Sequence, residues 1–125
     1  MQAKNRDAIL HAEITEEMAR IAESGTQIIV EGKKDKASLI GLGLTKIITL
    51  DKPLYAVAES IEAKEVLILT DLDAEGRKIY HKLKSWLSSR GVNVDNRLRL
   101  MLFKAKVQNI ESLYGMMQKW KYQKG

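Results

Sequence analysis

The sequence predicts an α/β protein whose central, mostly parallel sheet has about four strands and is flanked by helices. Short apolar, β-branched runs alternate along the chain with longer segments whose apolar residues recur at helical spacing. One run, Val66–Leu69, is apolar without interruption, which is typical of a central strand covered on both faces. Gly25, Gly32 and Gly91 mark boundaries between segments. This alternation implies parallel strands joined by right-handed crossovers.

The individual elements follow in chain order. In the first half we expect a helix at about Arg6–Glu23, a strand at Ile28–Val30 and a second helix that begins at about Lys34. A second strand at Ile47–Leu50 and a short helix at Leu54–Ile61 follow. After the Val66–Leu69 strand, we expect a helix that contains Ile79 and ends before Gly91. We then expect one or two strand pieces within Val92–Phe103. The last predicted element is a basic helix at Asn109–Trp120.

Helical spacing also predicts which side chains face the core. On the helix from Lys34, the inward residues are predicted to be Ala37, Ile40, Gly41 and Leu44. On the predicted helix that contains Ile79, Trp86 is expected to face the core together with Leu83 and Leu87. On the last helix, the inward residues are expected to be Ile110, Leu113, Tyr114 and Met117.

Composition limits the classes of protein and of site. With 125 residues and 45% hydrophobic content, we expect a single domain over residues 1–125, with its core at about 27–103. The sequence contains no run of about 18 apolar residues, so no membrane span is predicted. Charged residues occur throughout Met1–Ile21, which does not suit a signal peptide, and we therefore expect a cytoplasmic protein. With no cysteine and two histidines, any metal must be held by carboxylates, which favours Mg²⁺ or Mn²⁺.

The positive charge is concentrated at one end of the chain. The net charge is +5, and Arg97–Gly125 alone carries seven basic residues against Glu111. Basic surface of this kind suits a polyanion such as RNA or DNA, although a solvated helix end has the same composition. Trp120 and Tyr122, among Lys119, Lys121 and Lys124, either stack on bases or belong to an amphipathic tail.

Acidic residues directly follow two of the predicted strands. Glu31 follows Val30, and the pair Asp71 and Asp73 follows Leu69 and Thr70. Ligands of open parallel sheets bind at the carboxyl ends of strands, so these three carboxylates are expected to converge there. Carboxylates at such short distances repel one another unless a proton or a cation lies between them. A divalent ion such as Mg²⁺ would neutralise this repulsion.

Glycines and basic residues surround these acids. Gly32 and Gly76 provide turns without a Cβ, which leaves room for a sugar-phosphate backbone, and Gly76 is expected to open the next helix. Backbone amides at a helix start suit anions. Four basic side chains are candidates for steadying phosphates, although exposed lysines after a strand are common: Lys33, Lys34, Arg77 and Lys78.

Two segments resemble the signatures of the Toprim domain family. Val30–Asp35 resembles the first, a strand ending in Glu-Gly with an acid four residues after the Glu; Thr70–Lys78 resembles the second, an Asp-x-Asp-x-x-Gly loop. The resemblance covers about Gln27–Phe103 and implies a compact Rossmann-like fold. It further implies that Glu31 acts as a general acid or base and that Asp71 and Asp73 bind Mg²⁺. Asp35 would then contribute to binding a second ion.

The resemblance implies a Mg²⁺-dependent enzyme acting on RNA or DNA phosphodiesters. Cleavage or RNA maturation is favoured over primase activity, because no cysteines and no spare length remain for the zinc and template-binding modules of primases. Four alternatives stay open: a non-catalytic nucleic-acid-binding module whose missing domains come from partner proteins, a haloacid-dehalogenase-like phosphatase, a receiver-like domain, and merely solvated loop acids. A calcium EF-hand is excluded, because Lys82 stands at its twelfth position.

Overall fold

The computed structural model describes residues 3–122, with side chains from residue 5 onward. This part of the chain forms four strands and six helices. In chain order they are α1 (Ala3–Ser24), β1 (Gln27–Val30), α2 (Lys33–Gly41), β2 (Ile47–Thr49), α3 (Leu54–Ser60), β3 (Glu65–Ile68), α4 (Ala74–Ser89), β4 (Asn93–Asp95), α5 (Arg97–Lys104) and α6 (Leu113–Tyr122).

The four strands form one sheet in the order β2-β1-β3-β4, and every pairing is parallel. The predicted α/β class and four-stranded, Rossmann-like sheet are therefore confirmed. Two predicted boundary glycines adopt the left-handed conformation that favours glycine, with φ of +67° at Gly25 after α1 and +81° at Gly91 after α4. No helix in residues 3–122 is both long enough and apolar enough to cross a bilayer.

Alternate residues of the two central strands enter two separate cores, one on each face of the sheet. In β1, Ile28 and Val30 lie in the first core and Ile29 lies in the second. In β3, Leu67 belongs to the first core and Ile68 to the second. Helices α1, α2, α5 and α6 contribute to the first core, whereas α3 and α4 contribute to the second. Both faces of the sheet are thus covered, as the apolar Val66–Leu69 run predicted.

An ion-pair network joins α1 to the carboxyl end of the edge strand β4. Arg20 lies 2.6 Å from Glu17 and 3.0 Å from Asp95, and Arg97 lies 2.9 Å from Asp95. Glu17 and the Asp95 side chain are both largely buried. Because a buried carboxylate needs a partner, these contacts hold the first helix against the sheet.

The inward face of α2 differs from the prediction. Of the four residues expected to face inward, only Leu44 is buried, and it lies beyond the end of the helix; Ile40 is 55% exposed. The buried residues of the helix include Ser38 and Leu39. The Ser38 hydroxyl accepts a hydrogen bond from the Tyr114 backbone N–H at 3.1 Å, so this face is partly polar. Apolar spacing alone therefore misplaced Ala37 and Ile40, which are exposed.

The Val92–Phe103 segment contains one strand, which agrees with the predicted one or two strand pieces, and continues as a helix that was not predicted. Only Asn93–Asp95 pairs with the sheet, and Arg97–Lys104 forms α5. Leu98 and Leu102 are both completely buried, one helical turn apart. Leucines at 98, 100 and 102 fit a strand's alternation as well as a helix's spacing, which explains why the sequence did not indicate α5.

Two aromatic residues lie differently from the predictions, and for a third, Trp120, the structure favours one of the two alternatives. Trp86 and Tyr114 were expected in the core but are 40% and 42% exposed. Helix α6 begins at Leu113, four residues later than predicted. The Trp120 ring stacks on the His11 ring with centroids 3.8 Å apart, so one of its faces packs within the protein and is not available to a base. Lys124, the third lysine of that basic tail, lies outside the described residues.

Candidate functional site

Parallel pairing of β1 and β3 places two strand-ending acids next to each other. The Leu69 N–H donates to the Ile29 carbonyl at 2.8 Å, which extends the pairing to the carboxyl end of the sheet. Glu31 and Asp71 emerge there, and Glu31 Oε2 accepts a hydrogen bond from the Asp71 backbone N–H at 2.8 Å. The Glu31 side chain is therefore directed at the loop that carries the two aspartates.

The two aspartates of that loop are oriented by different backbone donors. Asp71 Oδ1 accepts a hydrogen bond from the Ile110 N–H at 3.0 Å. Asp73 Oδ1 accepts from the Gly76 N–H at 2.8 Å, so Asp73 is the N-cap of α4. Leu72, between them, is partly buried and packs against the first core. Each aspartate thus uses one carboxylate oxygen to fix its own position.

Asp35 lies in the first turn of α2, close to the same edge. Its Oδ2 accepts a hydrogen bond from the Gly32 N–H at 3.0 Å, and the residue is only 8% exposed. Gly32 has an extended backbone, and a Cβ placed there would meet only Asp35 Oδ2, at an ordinary 3.9 Å. The role of Gly32 here is therefore to donate its N–H, and space for a phosphate backbone beside it stays a prediction.

These four acids, Glu31, Asp35, Asp71 and Asp73, form one electrostatic unit, which we call the acidic cluster. Burial raises the pKa of Glu31, opposed by the hydrogen bond from the Asp71 N–H; the charges of Asp71, Asp35 and Asp73 raise it further. Burial is also the first cause of the raised pKa of Asp35, to which Asp71 and Glu111 add. Mutual repulsion within the cluster favours a bound proton or cation.

The donor chemistry of the acidic cluster suits Mg²⁺ or Mn²⁺. All its side-chain donors are carboxylate oxygens, and Mg²⁺ typically takes one or two carboxylates while keeping several waters. In the part of the chain that the structure describes, no three or more acidic or histidine side chains are arranged as a ready metal-binding group. A single ion held by all three of Glu31, Asp71 and Asp73 is thus not preformed, and their assignment as metal ligands stays a prediction.

Gly76 has a steric role within the loop itself. A Cβ built on Gly76 would lie 1.9 Å from the Asp71 carbonyl oxygen, a distance that no side chain can adopt. The Thr70 hydroxyl, fully buried, donates to the Gly76 carbonyl at 2.7 Å. Helix α4 begins at Ala74, so the expectation that Gly76 opens it is wrong, and the Gly76 N–H is bound by Asp73. The glycine thus lets the helix pack onto the aspartate loop.

The four basic residues predicted to contact phosphates lie on the two helices that follow the acid-bearing strands. Lys33 and Lys34 begin α2, and Arg77 and Lys78 lie in the first turns of α4. All four are exposed, and within residues 5–122 none of them forms an ion pair. Exposed cations beside an anionic site suit a phosphate ligand, and that role stays a prediction.

Sequence reasoning missed Arg99, which lies beneath the aspartate loop. Arg99 belongs to α5 and is 6% exposed. Its Nη1 donates to the Thr70 carbonyl at 2.6 Å and its Nη2 to the Asp71 carbonyl at 3.1 Å. Burial lowers its pKa, while nearby Tyr80, Glu31 and Asp71 act in the opposite direction. No local pattern reveals such a residue, because its contacts lie 28 and 29 positions away.

The segment between α5 and α6 also closes against the site. The Leu72 N–H donates to the Gln108 carbonyl at 2.8 Å, next to the hydrogen bond between Ile110 and Asp71. Glu111, in the same segment, is near enough to contribute to the raised pKa of Asp35. The C-terminal part of the described chain is therefore attached directly to the acidic cluster.

The fold and the site define a Rossmann-like α/β domain with acids at the ends of two adjacent central strands. The model of the Toprim domain family matches residues 26–101, more than half of the chain. That stretch contains the whole acidic cluster and Arg99. The chain belongs to the Toprim family, a nucleic-acid-related, metal-binding family.

Relatives of similar length occur among archaeal proteins. The chain is 36% identical over 115 residues to a UPF0292 protein of Methanocaldococcus jannaschii, covering 86% of this chain and 89% of the relative. It is 41% identical over 103 residues to a UPF0292 protein of Pyrococcus horikoshii, covering 78% of each. A solved structure of a protein from Aquifex aeolicus superposes with a TM-score of 0.72 at 34% identity, covering 81% of this chain and 95% of that one.

Proposed function

We propose that this protein is a Mg²⁺-dependent phosphoryl-transfer enzyme that cleaves RNA or DNA phosphodiesters in the cytoplasm. The observation that carries the proposal is the contact between Glu31 and the Asp71 loop. Glu31 Oε2 lies 2.8 Å from the Asp71 N–H, and burial with three neighbouring carboxylates raises the pKa of Glu31. An acid with a raised pKa beside oxygen ligands for a metal is suited to proton transfer during phosphate chemistry.

Asp71 and Asp73 would hold the metal ion, with Asp35 contributing to a second. When bound, Mg²⁺ supplies polarisation of the phosphate oxygens and neutralises the charge that develops on them. Mn²⁺ has the same preference for oxygen ligands and is expected to substitute. Exposed Lys33, Lys34, Arg77 and Lys78 would bind the flanking phosphates.

Glu31 would move the proton. As the oxygen of an attacking water forms its bond to phosphorus, the Glu31 carboxylate accepts the proton that this water releases. The bond from phosphorus to the leaving sugar oxygen breaks, and that oxygen takes a proton from the protonated Glu31 or from solvent. The raised pKa makes the Glu31 carboxylate a stronger base than an ordinary glutamate, which suits it to accept the proton of the attacking water.

The test is a cleavage assay with labelled single- and double-stranded RNA and DNA, and structured ribosomal RNA precursors, in Mg²⁺, Mn²⁺ or chelator. Cleavage is expected only with a metal. Glu31→Gln is expected to reduce the rate about 100-fold or more. The matched control is Glu62→Gln, since Glu62 is exposed and outside the acidic cluster; its rate should equal that of the wild type. Equal product with chelator, or with Glu31→Gln, would contradict the proposal.

The second candidate is a non-catalytic module that binds nucleic acid within a larger assembly, in which partner proteins provide other domains. The observation that favours it is that, among the described residues, no complete metal-binding group is preformed. Binding would then survive Glu31→Gln, weaken steeply with salt and yield no products. Measuring affinity and product formation on the same samples separates the two candidates.

A further inference from the structure

Arg99 is a buried cation whose contacts converge on one residue of the acidic cluster. Its side chain comes from α5, on the first face of the sheet, and reaches the carboxyl end of β3. Burying a guanidinium is costly unless its N–H groups are hydrogen-bonded and its charge is compensated. Arg99 satisfies this with two backbone carbonyls and with the Tyr80 ring, whose centroid lies 4.4 Å from the guanidinium carbon.

The two carbonyls belong to the peptide units on either side of the Asp71 Cα. The first unit joins the Thr70 carbonyl to the Asp71 N–H: its oxygen accepts from Arg99 at 2.6 Å, and its N–H donates to Glu31 at 2.8 Å. The second joins the Asp71 carbonyl to the Leu72 N–H: its oxygen accepts from Arg99 at 3.1 Å, and its N–H donates to Gln108 at 2.8 Å. Both units are thus held at both ends.

Holding both units fixes the direction of the Asp71 side chain. A peptide unit is planar, so hydrogen bonds at its oxygen and its N–H together define its orientation. Two oriented units restrict the φ and ψ angles of Asp71, and these angles determine the direction in which its Cβ leaves the backbone. The bridging uses two separate nitrogens, Nη1 and Nη2, in a rigid planar arrangement, whereas all the N–H groups of lysine are on a single nitrogen.

We propose that Arg99 is the positioning residue of the acidic cluster, and that it sets both the Asp71 carboxylate and the Asp71 N–H that faces Glu31. Arg99 does not contact substrate in this role; it acts through Asp71. What Asp71 then does with a metal ion rests on the proposed function, whereas the positioning itself does not.

The experiment compares Arg99→Lys, which keeps the charge but cannot bridge both carbonyls, with Arg99→Met, which removes the charge. The control is Lys104→Met, because Lys104 is exposed on the same helix. The first readout is amide hydrogen exchange followed by NMR, which requires no metal. In both Arg99 variants, the protection factors of the Asp71 and Leu72 amides should fall about tenfold or more, while those of the strand amides stay unchanged. In Lys104→Met, all of these protection factors should equal those of the wild type.

The second readout is the dissociation constant for Mg²⁺, measured by calorimetry. Loss of a residue that orients a metal ligand is expected to weaken binding about 10-fold to 100-fold in Arg99→Lys, which keeps the positive charge. Wild-type protection of the Asp71 and Leu72 amides in Arg99→Lys would overturn the proposal, as would wild-type Mg²⁺ affinity in that variant. Should the wild type itself not bind Mg²⁺, the proposed function fails, and hydrogen exchange in Arg99→Lys still decides the positioning role. If Arg99→Met does not fold, the measurements on Arg99→Lys alone test the positioning role.

Discussion

Glu31 Oε2 accepts a hydrogen bond from the backbone N–H of Asp71 at 2.8 Å, although forty residues separate the two in the chain. The contact exists because β1 and β3 are adjacent and parallel, so both strands deliver their following residues to the same end of the sheet. It brings a carboxylate into a region already occupied by Asp35, Asp71 and Asp73. The predictions below follow from this concentration of charge and from the loop that maintains it.

Replacing Glu31 by glutamine should stabilise the protein when no divalent ion is present. The pKa of Glu31 is raised in the folded protein, so its contribution to stability is present below the unfolded pKa and is lost as pH rises through the folded one. At neutral pH, Glu31→Gln should therefore melt at a higher temperature than the wild type in chelator, and excess Mg²⁺ should reverse that order. Glu62→Gln, at an exposed site, should leave the melting temperature unchanged. A lower melting temperature for Glu31→Gln in chelator would contradict the electrostatic account.

Adding one methyl group at Gly76 should be severely destabilising. The new Cβ would lie 1.9 Å from the Asp71 carbonyl oxygen, so α4 or the aspartate loop must move. We expect Gly76→Ala to cost about 3 kcal/mol in the free energy of unfolding, measured with denaturant. Gly115→Ala, in α6 where a Cβ meets nothing within 4 Å, should instead stabilise by about 0.5–1 kcal/mol. Similar effects of the two substitutions would show that the loop is not tightly packed on α4.

Asp95 should stabilise the fold in a pH-dependent manner. A hydrogen bond from Arg97 is the first cause that lowers its pKa below the usual 3.8, and the charges of Arg97 and Arg20 act in the same direction. Its contribution is therefore present above pH 3.8 and is lost as pH falls through the folded-state pKa. Asp95→Asn should be about 1.5 kcal/mol less stable at neutral pH, and the difference should shrink in acid. A difference that stays constant down to about pH 2.5 would rule out this role.

The basic residues beside the acidic cluster should contribute to nucleic-acid affinity through phosphates. Replacing Arg77 and Lys78 by alanine should weaken binding to all sequences alike and reduce the slope of log affinity against log salt by about one for each residue. Lys64→Ala is the control, because Lys64 is exposed at the opposite end of the sheet, just before β3. Should Lys64→Ala change the slope as much, the binding surface lies elsewhere.

The sequence predicted the fold and the acid-bearing strand ends because both depend on local patterns. Val66–Leu69 had no polar interruption, and it forms most of a central strand that is buried on both faces. Glu31 and Asp71 could be placed at one end of the sheet because parallel strands impose that position on the residues that follow them. The roles of these acids as metal ligands and in proton transfer remain predictions.

Other features depend on contacts between distant residues, which local patterns do not carry. The inward face of α2 includes Ser38, whose hydroxyl is satisfied by a backbone N–H 76 residues away. Arg99 stood in a stretch that reads equally as strand or helix, and its buried position depends on carbonyls of another loop. A polar residue in a core is predictable only when its partner is known.

The most direct test of the acidic cluster as a metal site is titration with Mn²⁺ followed by amide NMR spectra. Paramagnetic broadening should appear first at Gly32 and Gly76, beside the acids, and excess Mg²⁺ should reverse it. Gly25 and Gly91 lie at the opposite end of the sheet, before β1 and β4, and their signals should stay sharp at the same Mn²⁺ concentration. Broadening that begins at Gly25 or Gly91, or that affects all four glycines equally, would contradict a metal site formed by Glu31, Asp71 and Asp73.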